Sequence, residues 1–231
     1  MHLPLARALA IAGVAITNLA LAPNAWAQAP AKPQPAAQHQ TGGNEGRVPL
    51  GWKSRTDAGT DGHAGKDTLS FAQMTPGFHV TTGPSVILYA PDSTASGTYT
   101  VDGSIFLFPT KGRDTEGYGI FVGGAGLDGA TPRYTYFLLR NDGKYLIKQR
   151  QGATTTVLKD WTALPAIKLQ TGTQAMQNDL RVAVGTGSVV FSVNGTEAVT
   201  LPRAQVAPDG IFGLRFNHAV NAHVVKVSRG K

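Results

Sequence analysis

The 231-residue chain contains no cysteine. Disulfides, thiol nucleophiles and thiolate-ligated metals are excluded together. The folded part must therefore be held by its apolar core. About 180 residues can supply one, because a chain of this size buries roughly 70% of its extended surface. Helical periodicity is also missing: no segment repeats apolar residues at three- and four-residue spacing, and Gln170–Asp179 offers one helical turn at most. Carboxylates are scarce, 14 in all, and almost absent inside the expected strands: Asp102, Glu116, Asp179 and Glu197 stand singly near ends or turns. No stretch after residue 27 is apolar over the ~20 residues that a bilayer span needs. Basic residues form no run, which, with an exported chain, argues against a nucleic-acid partner.

What is present starts with an export signal. Residues 1–27 carry one basic residue, Arg7, ahead of an apolar run from Ala8 to Ala22, and end in Ala25-Trp26-Ala27. A charged start, an apolar middle and a small-x-small exit predict cleavage after Ala27 and a destination in the periplasm or outside the cell. Cleavage removes Arg7 alone among the charged residues, so the net charge of +7 falls by one to +6. Residues 28–47 are rich in Pro, Gln, Ala and Gly and offer little to bury, so they read as a flexible linker. The folded domain is expected over 48–231.

That domain reads as short apolar runs between turn residues. The segment RYTYFLLRNDGKYLIKQR reads as two strands around Asn141-Asp142-Gly143, a strong hairpin signal. Residues 179–202 hold three strands, jointed at Gly185-Thr186-Gly187 and Asn194-Gly195. Alternation puts Leu180, Val182, Val184, Val189, Phe191, Val193, Val199 and Leu201 on one face, with Arg181, Ser188, Ser192 and Asn194 on the other. Phe212, Leu214 and Phe216 likewise oppose Arg215 and Asn217. In RYTYFLLR both faces are large: Tyr134, Tyr136 and Leu138 on one, Phe137 and Leu139 on the other. Such a strand is central, its second face lying under other chain or lining a groove. Turns at intervals of roughly 8–12 residues predict an all-β, two-sheet antiparallel sandwich.

The run NDLRVAVGTGSVVFSVNGTEAVTLP, followed by DGIFGLRFNHAVNAHVVKVS, resembles the last third of concanavalin A-like jelly-roll domains. That superfamily includes legume lectins, laminin G-like modules and family 16 glucanases. The blocks GFHVTTGP, YGIFVGG and YTYFLLRNDGKYLIK are also similar to those of exported bacterial proteins near the 3-keto-disaccharide hydrolase domains. The resemblance implies a jelly roll over nearly all of the mature domain. For function it implies a non-enzymatic module that binds carbohydrate or another cell-envelope component. The alternatives are a hydrolase of the 3-keto-disaccharide type and a protein-binding or structural module. Family 16 glucanases carry a carboxylate cluster on one strand, and this chain shows none, which argues against retaining glucanase chemistry.

Within such a sandwich, aromatic faces stack on sugar rings and planar polar groups bind hydroxyls. Tyr118, Tyr136, Arg140, Arg215 and Asn217 are the candidate ligand-binding residues, with His79 added as a polar residue between Phe78 and Val80. The competing reading makes the tyrosines core residues and has the fold hydrogen-bond His79 for its own needs. Trp161 is expected to plug the sandwich end, and Trp52 to cap the first strand. Asp57, Asp61 and Asp67 lie in one glycine-rich segment and are the candidate Ca²⁺ ligands, although Arg55 and Lys66 would oppose the ion. His63, His79, His218 and His223 show no spacing that would bring them onto one metal, and no cofactor is otherwise expected.

Overall fold

The computed structural model describes residues 47–57 and 69–230. The expected signal and nearly all of the linker lie outside these residues. In chain order the strands are β1 (Lys53–Thr56), β2 (Ser70–Gln73), β3 (Phe78–Thr81), β4 (Val86–Tyr89), β5 (Thr94–Ala95), β6 (Tyr99–Leu107), β7 (Tyr118–Ala125) and β8 (Arg133–Leu139). They continue with β9 (Lys144–Gln151), β10 (Thr154–Ala163), β11 (Met176–Val184), β12 (Ser188–Val193), β13 (Thr196–Pro202), β14 (Gly210–Phe216) and β15 (Asn221–Gly230), with one short helix, α1 (Arg203–Val206), before β14. All recorded pairings are antiparallel.

Two sheets result. The first runs β1-β4-β14-β7-β8-β9-β10, with β5 beside β14; the second runs β13-β12-β11-β6-β15-β3-β2. Neighbours distant in sequence, such as β4 beside β14 and β6 beside β15, give the jelly-roll weave. This is the expected all-β, two-sheet antiparallel sandwich. Hairpin chemistry fixes the local registers. Gly143 turns with φ 80°, and Asn194 and Gly195 turn with φ 51° and 82°. Two successive positive φ values match the twist of the flanking strands.

Alternation places the core between the sheets. Leu180, Val182, Val184, Phe191 and Val193 of the second sheet meet Val86, Leu88, Ile120, Phe137, Leu139, Leu214 and Phe216 of the first. Phe137 stands edge-on to Phe191 at 5.3 Å. A satisfied polar network is set into this core. Asn178, fully buried, donates to Tyr118 Oη and to the Lys168 carbonyl, both at 2.9 Å. Its Oδ1 accepts from the Lys168 N–H at 2.9 Å and from Asn194 Nδ2 at 2.8 Å. Buried polar atoms are costly only when unpaired. Asn178→Ala leaves several of these groups without partners, so we expect a loss of about 2–3 kcal/mol in chemical denaturation; a loss below about 0.5 kcal/mol would mean that water replaces the amide.

Two expectations need correction, and one strand is unexpected. The segment Thr154–Ala163 forms β10, which the sequence conceals because it is a largely exposed edge strand with two register shifts. Trp161 belongs to that strand, where it stacks with Arg140 on the first sheet instead of plugging an end. The helical turn occurs at Arg203–Val206 rather than within Gln170–Asp179, where β11 has already begun by Met176. Trp52 precedes β1 and stands edge-on to Phe78, ring centres 5.3 Å apart.

Candidate functional site

The face of the first sheet that points away from the core is a second apolar layer bearing charge. Ile87 and Tyr89 of β4, Phe121 of β7, Tyr134, Tyr136 and Leu138 of β8, and Leu146 of β9 cluster there, flanked by Leu127, Trp161 and Ile211. The large residues on both faces of β8 have this origin: Phe137 and Leu139 point inward, Tyr134, Tyr136 and Leu138 outward.

Register carries cations onto this layer in pairs. Arg55 of β1 and Arg215 of β14 both lie opposite Ile87, one on each side. Across the β8–β9 hairpin, Arg150 lies opposite Tyr134 and Lys148 opposite Tyr136. Asp57, at the end of β1, joins the two groups. Its carboxylate lies 3.5 Å from Arg150 Nη1, 3.5 Å from Arg215 Nε and 3.9 Å from Arg55 Nε. It also accepts a hydrogen bond from Tyr134 Oη. The Asp57 side chain is 2% exposed and that of Arg215 is 9% exposed, so the centre of the cluster is buried, with Arg150 and Arg55 partly exposed at its margin.

Backbone carbonyls anchor each guanidinium along one edge. Arg55 Nη1 donates to the Leu127 and Gly129 carbonyls at 2.8 and 2.6 Å. Arg150 Nε donates to the Gly152 carbonyl at 2.9 Å, and Arg215 Nη1 donates to those of Val86 and Phe216. Among the described residues, Asp57 Oδ1, Arg55 Nε and Arg215 Nε are buried and find no hydrogen-bond partner. The aromatic groups form a strip: Phe121 and Tyr134 are 5.3 Å apart, Tyr134 and Tyr136 5.7 Å, and the Arg215 guanidinium lies 5.6 Å from the Tyr136 ring centre. Burial pushes the hydroxyl pKa values of Tyr134 and Tyr136 upward, partly opposed by Arg215, so both stay protonated donors. At the rim, Asp128 accepts from Lys53 at 2.7 Å and from Tyr89 at 2.5 Å. Those two bonds hold its carboxyl below the usual carboxylate range.

The six residues named from sequence are dispersed. Tyr136 and Arg215 meet on this face. Arg140 lies 4.5 Å over the Trp161 ring and is paired with Asp142 at 2.7 Å. Tyr118 points into the core, where Asn178 occupies its hydroxyl. Asn217 sits just beyond β14, pairing through its backbone with Gly117 and Thr82. His79 lies on the other sheet: its Nε2 is 2.5 Å from Asn221 Oδ1, its ring is edge-on to Phe108, and it faces His223 across the β3–β15 ladder. Asp57, named as a calcium ligand, faces three guanidiniums, an environment that repels a divalent cation; Asp61 and Asp67 lie outside the described residues. Among the described residues no group of three or more His, Asp or Glu could hold a metal.

Local sequence patterns do not bring Arg55 and Asp57 against Tyr134 and Arg150. The signal that could have found them is the proximity of Arg55 to Asp57, which opposes calcium and favours an ion pair. The outer face of the second sheet carries a trough of about 460 Å³ lined by Asp102, Ser104, Gln177, Asp179 and Arg181. Its carboxylates are already engaged, Asp102 by Arg181 and Asp179 by Ser104 and Gln177.

His223 carries a pH dependence. Burial, and then the neighbouring His79, lowers the His223 pKa below its ordinary 6.5. Below about pH 6.5 the unfolded chain takes up a proton that the folded state resists. Stability should therefore be complete above that pH and fall as the solution is acidified. His223→Gln should flatten the urea-midpoint profile between about pH 5 and 7; an unchanged slope would place the titration elsewhere.

No family model matches the chain, and no curated protein sequence matches it either. Solved structures do. The carbohydrate-binding module CBM66 from Bacillus subtilis superposes with a TM-score of 0.56 at 11% identity, covering 78% of this chain and 96% of that one. A GH16 protein of the Bacteroides ovatus mixed-linkage glucan locus, in complex with its G4G4G3G product, gives 0.54 at 9% identity, over 78% and 94% of the chains. At such identities the likeness establishes the fold: a concanavalin A-like jelly-roll sandwich.

Proposed function

We propose that this is an exported, non-enzymatic module that binds carbohydrate on the outer face of its first sheet. The observation that carries the reading is the buried Asp57 cluster beside Tyr134 and Tyr136, with three of its polar atoms lacking hydrogen-bond partners among the described residues. Buried polar groups in native proteins are nearly always paired, and sugar hydroxyls can both donate to Asp57 Oδ1 and accept from the arginine nitrogens. The Tyr136 ring borders the same place and is 7% exposed. Support at the level of fold comes from the neighbours, one named as a carbohydrate-binding module and one solved with an oligosaccharide product. Export is supported by the signal-like residues 1–27.

The charge pattern favours binding over hydrolysis. A glycosidase needs a general acid with a raised pKa opposite a second carboxylate. Here Asp57 is ringed by cations, and the pKa of Asp128 is lowered. A glycan array probed with the purified protein tests the reading. We expect binding to a defined subset of oligosaccharides, weakened at least roughly ten-fold by Arg215→Met and unchanged by Arg181→Gln on the second sheet. An array without hits contradicts the function, and equal loss in the two variants contradicts the site.

A further inference from the structure

We propose that the sugar recognised at the Asp57 cluster carries a carboxylate, making the preferred ligand an acidic glycan built of uronate-type residues. This rests on the carbohydrate-binding reading and specifies its ligand class. Three guanidiniums, Arg55, Arg150 and Arg215, surround one carboxylate, Asp57, within 3.9 Å. Among the described residues the cluster thus holds two positive charges in excess. The nearby Asp128 is taken up by Lys53 at the rim. Lys148, opposite Tyr136, adds another cation to the same face.

Buried charge is tolerated when it is paired and hydrogen-bonded. Here the pairing is incomplete, because among the described residues Arg55 Nε and Arg215 Nε face the Asp57 carboxylate at 3.9 and 3.5 Å without forming a hydrogen bond to it or to any other acceptor. An incoming anion completes it. The arginines are also held in place, since each has at least one nitrogen bound to a backbone carbonyl and so loses little rotamer freedom on binding. A fork of parallel N–H donors matches the two oxygens of a carboxylate. Tyr136 lies beside Arg215, so the ring that bears the carboxylate would have an aromatic neighbour. A neutral sugar would satisfy Asp57 Oδ1 and leave the excess positive charge as it is.

Matched ligands test this on the unmodified protein. Oligomers of galacturonate, mannuronate, guluronate and glucuronate are titrated by calorimetry beside the same oligomers after reduction of their carboxyl groups, with sulfated galactan oligomers as a third arm. The proposal expects at least one uronate oligomer to bind roughly ten-fold or more tightly than its reduced counterpart. It also expects that ratio to shrink at least about five-fold in Arg150→Gln and in roughly 0.5 M salt, and to be unaltered in Arg181→Gln. Equal affinity for acidic and reduced oligomers would overturn the acidic-sugar assignment and leave carbohydrate binding standing. Preference for the sulfated oligomers would overturn the carboxylate assignment. No binding in any arm, together with an array free of hits, would remove the carbohydrate reading itself.

Discussion

Asp57→Ala should cost about 3–5 kcal/mol of folding free energy, the range for removing one partner from a buried ion pair. In a domain of this size that corresponds to a fall of roughly 6–20 °C in Tm. The variant leaves Arg55, Arg150 and Arg215 facing one another across a buried space, and Tyr134 loses the acceptor of its hydroxyl. The converse change should be mild. Arg215→Met leaves Asp57 with two guanidiniums and a tyrosine, and its cost should be about 1–2 kcal/mol, mainly from the Val86 and Phe216 carbonyls that Arg215 serves. Combining the two should recover about 1–2 kcal/mol relative to the sum, because the second substitution removes a cation that the first left uncompensated. Strict additivity in urea denaturation would show that the cluster is solvated and its members independent. The asymmetry is the informative feature: in a site built for an anion, the single carboxylate holds the cations together, and each cation is individually more dispensable.

The second large effect concerns binding. Tyr136→Leu keeps an apolar side chain in the floor but removes the aromatic ring and its hydroxyl. Affinity for the best oligosaccharide should fall by a factor of roughly 10–100, as expected for an aromatic anchor. Phe106→Leu, on the outer face of the second sheet near His223, should leave affinity within about two-fold. Both variants exchange a ring for leucine, so any general effect of losing an aromatic group is shared. A loss of the same size in both, or in neither, would detach Tyr136 from the site.

The features behind these effects differ in how far the chain discloses them. The two-layer sandwich follows from period-2 alternation in β8, β11, β12 and β14, because a residue facing the core must be apolar whatever its partners are. The outward face of β8 is legible for the same reason. Part of the arginine cluster is derivable as well. The hairpin centred on Asp142 sets a register in which opposed positions are equidistant from the turn, so Arg150 must face Tyr134 and Lys148 must face Tyr136. Arg55 and Arg215 are different. They flank Ile87 only because β1, β4 and β14 assemble from three distant parts of the chain, and no local pattern encodes that order. Asp57 misleads for a related reason: a carboxylate among glycines and further aspartates reads as a cation ligand until long-range pairing brings arginines against it. Tyr118 misleads because a tyrosine on a strand reads alike whether its hydroxyl reaches solvent or a buried asparagine, and Asn178 lies 60 residues away. His79 separates from Tyr136 because consecutive parts of a jelly roll alternate between sheets, which alternation within a strand cannot report.

The most direct test is side-chain NMR of the protein titrated with its tightest oligosaccharide, following the arginine Nε–H and tyrosine ring resonances. The account predicts saturable shifts at Arg55, Arg150, Arg215, Tyr134 and Tyr136, with Arg181 and His223 unmoved. Shifts confined to the second sheet, around the trough that contains Asp102, Asp179 and Arg181, would contradict it.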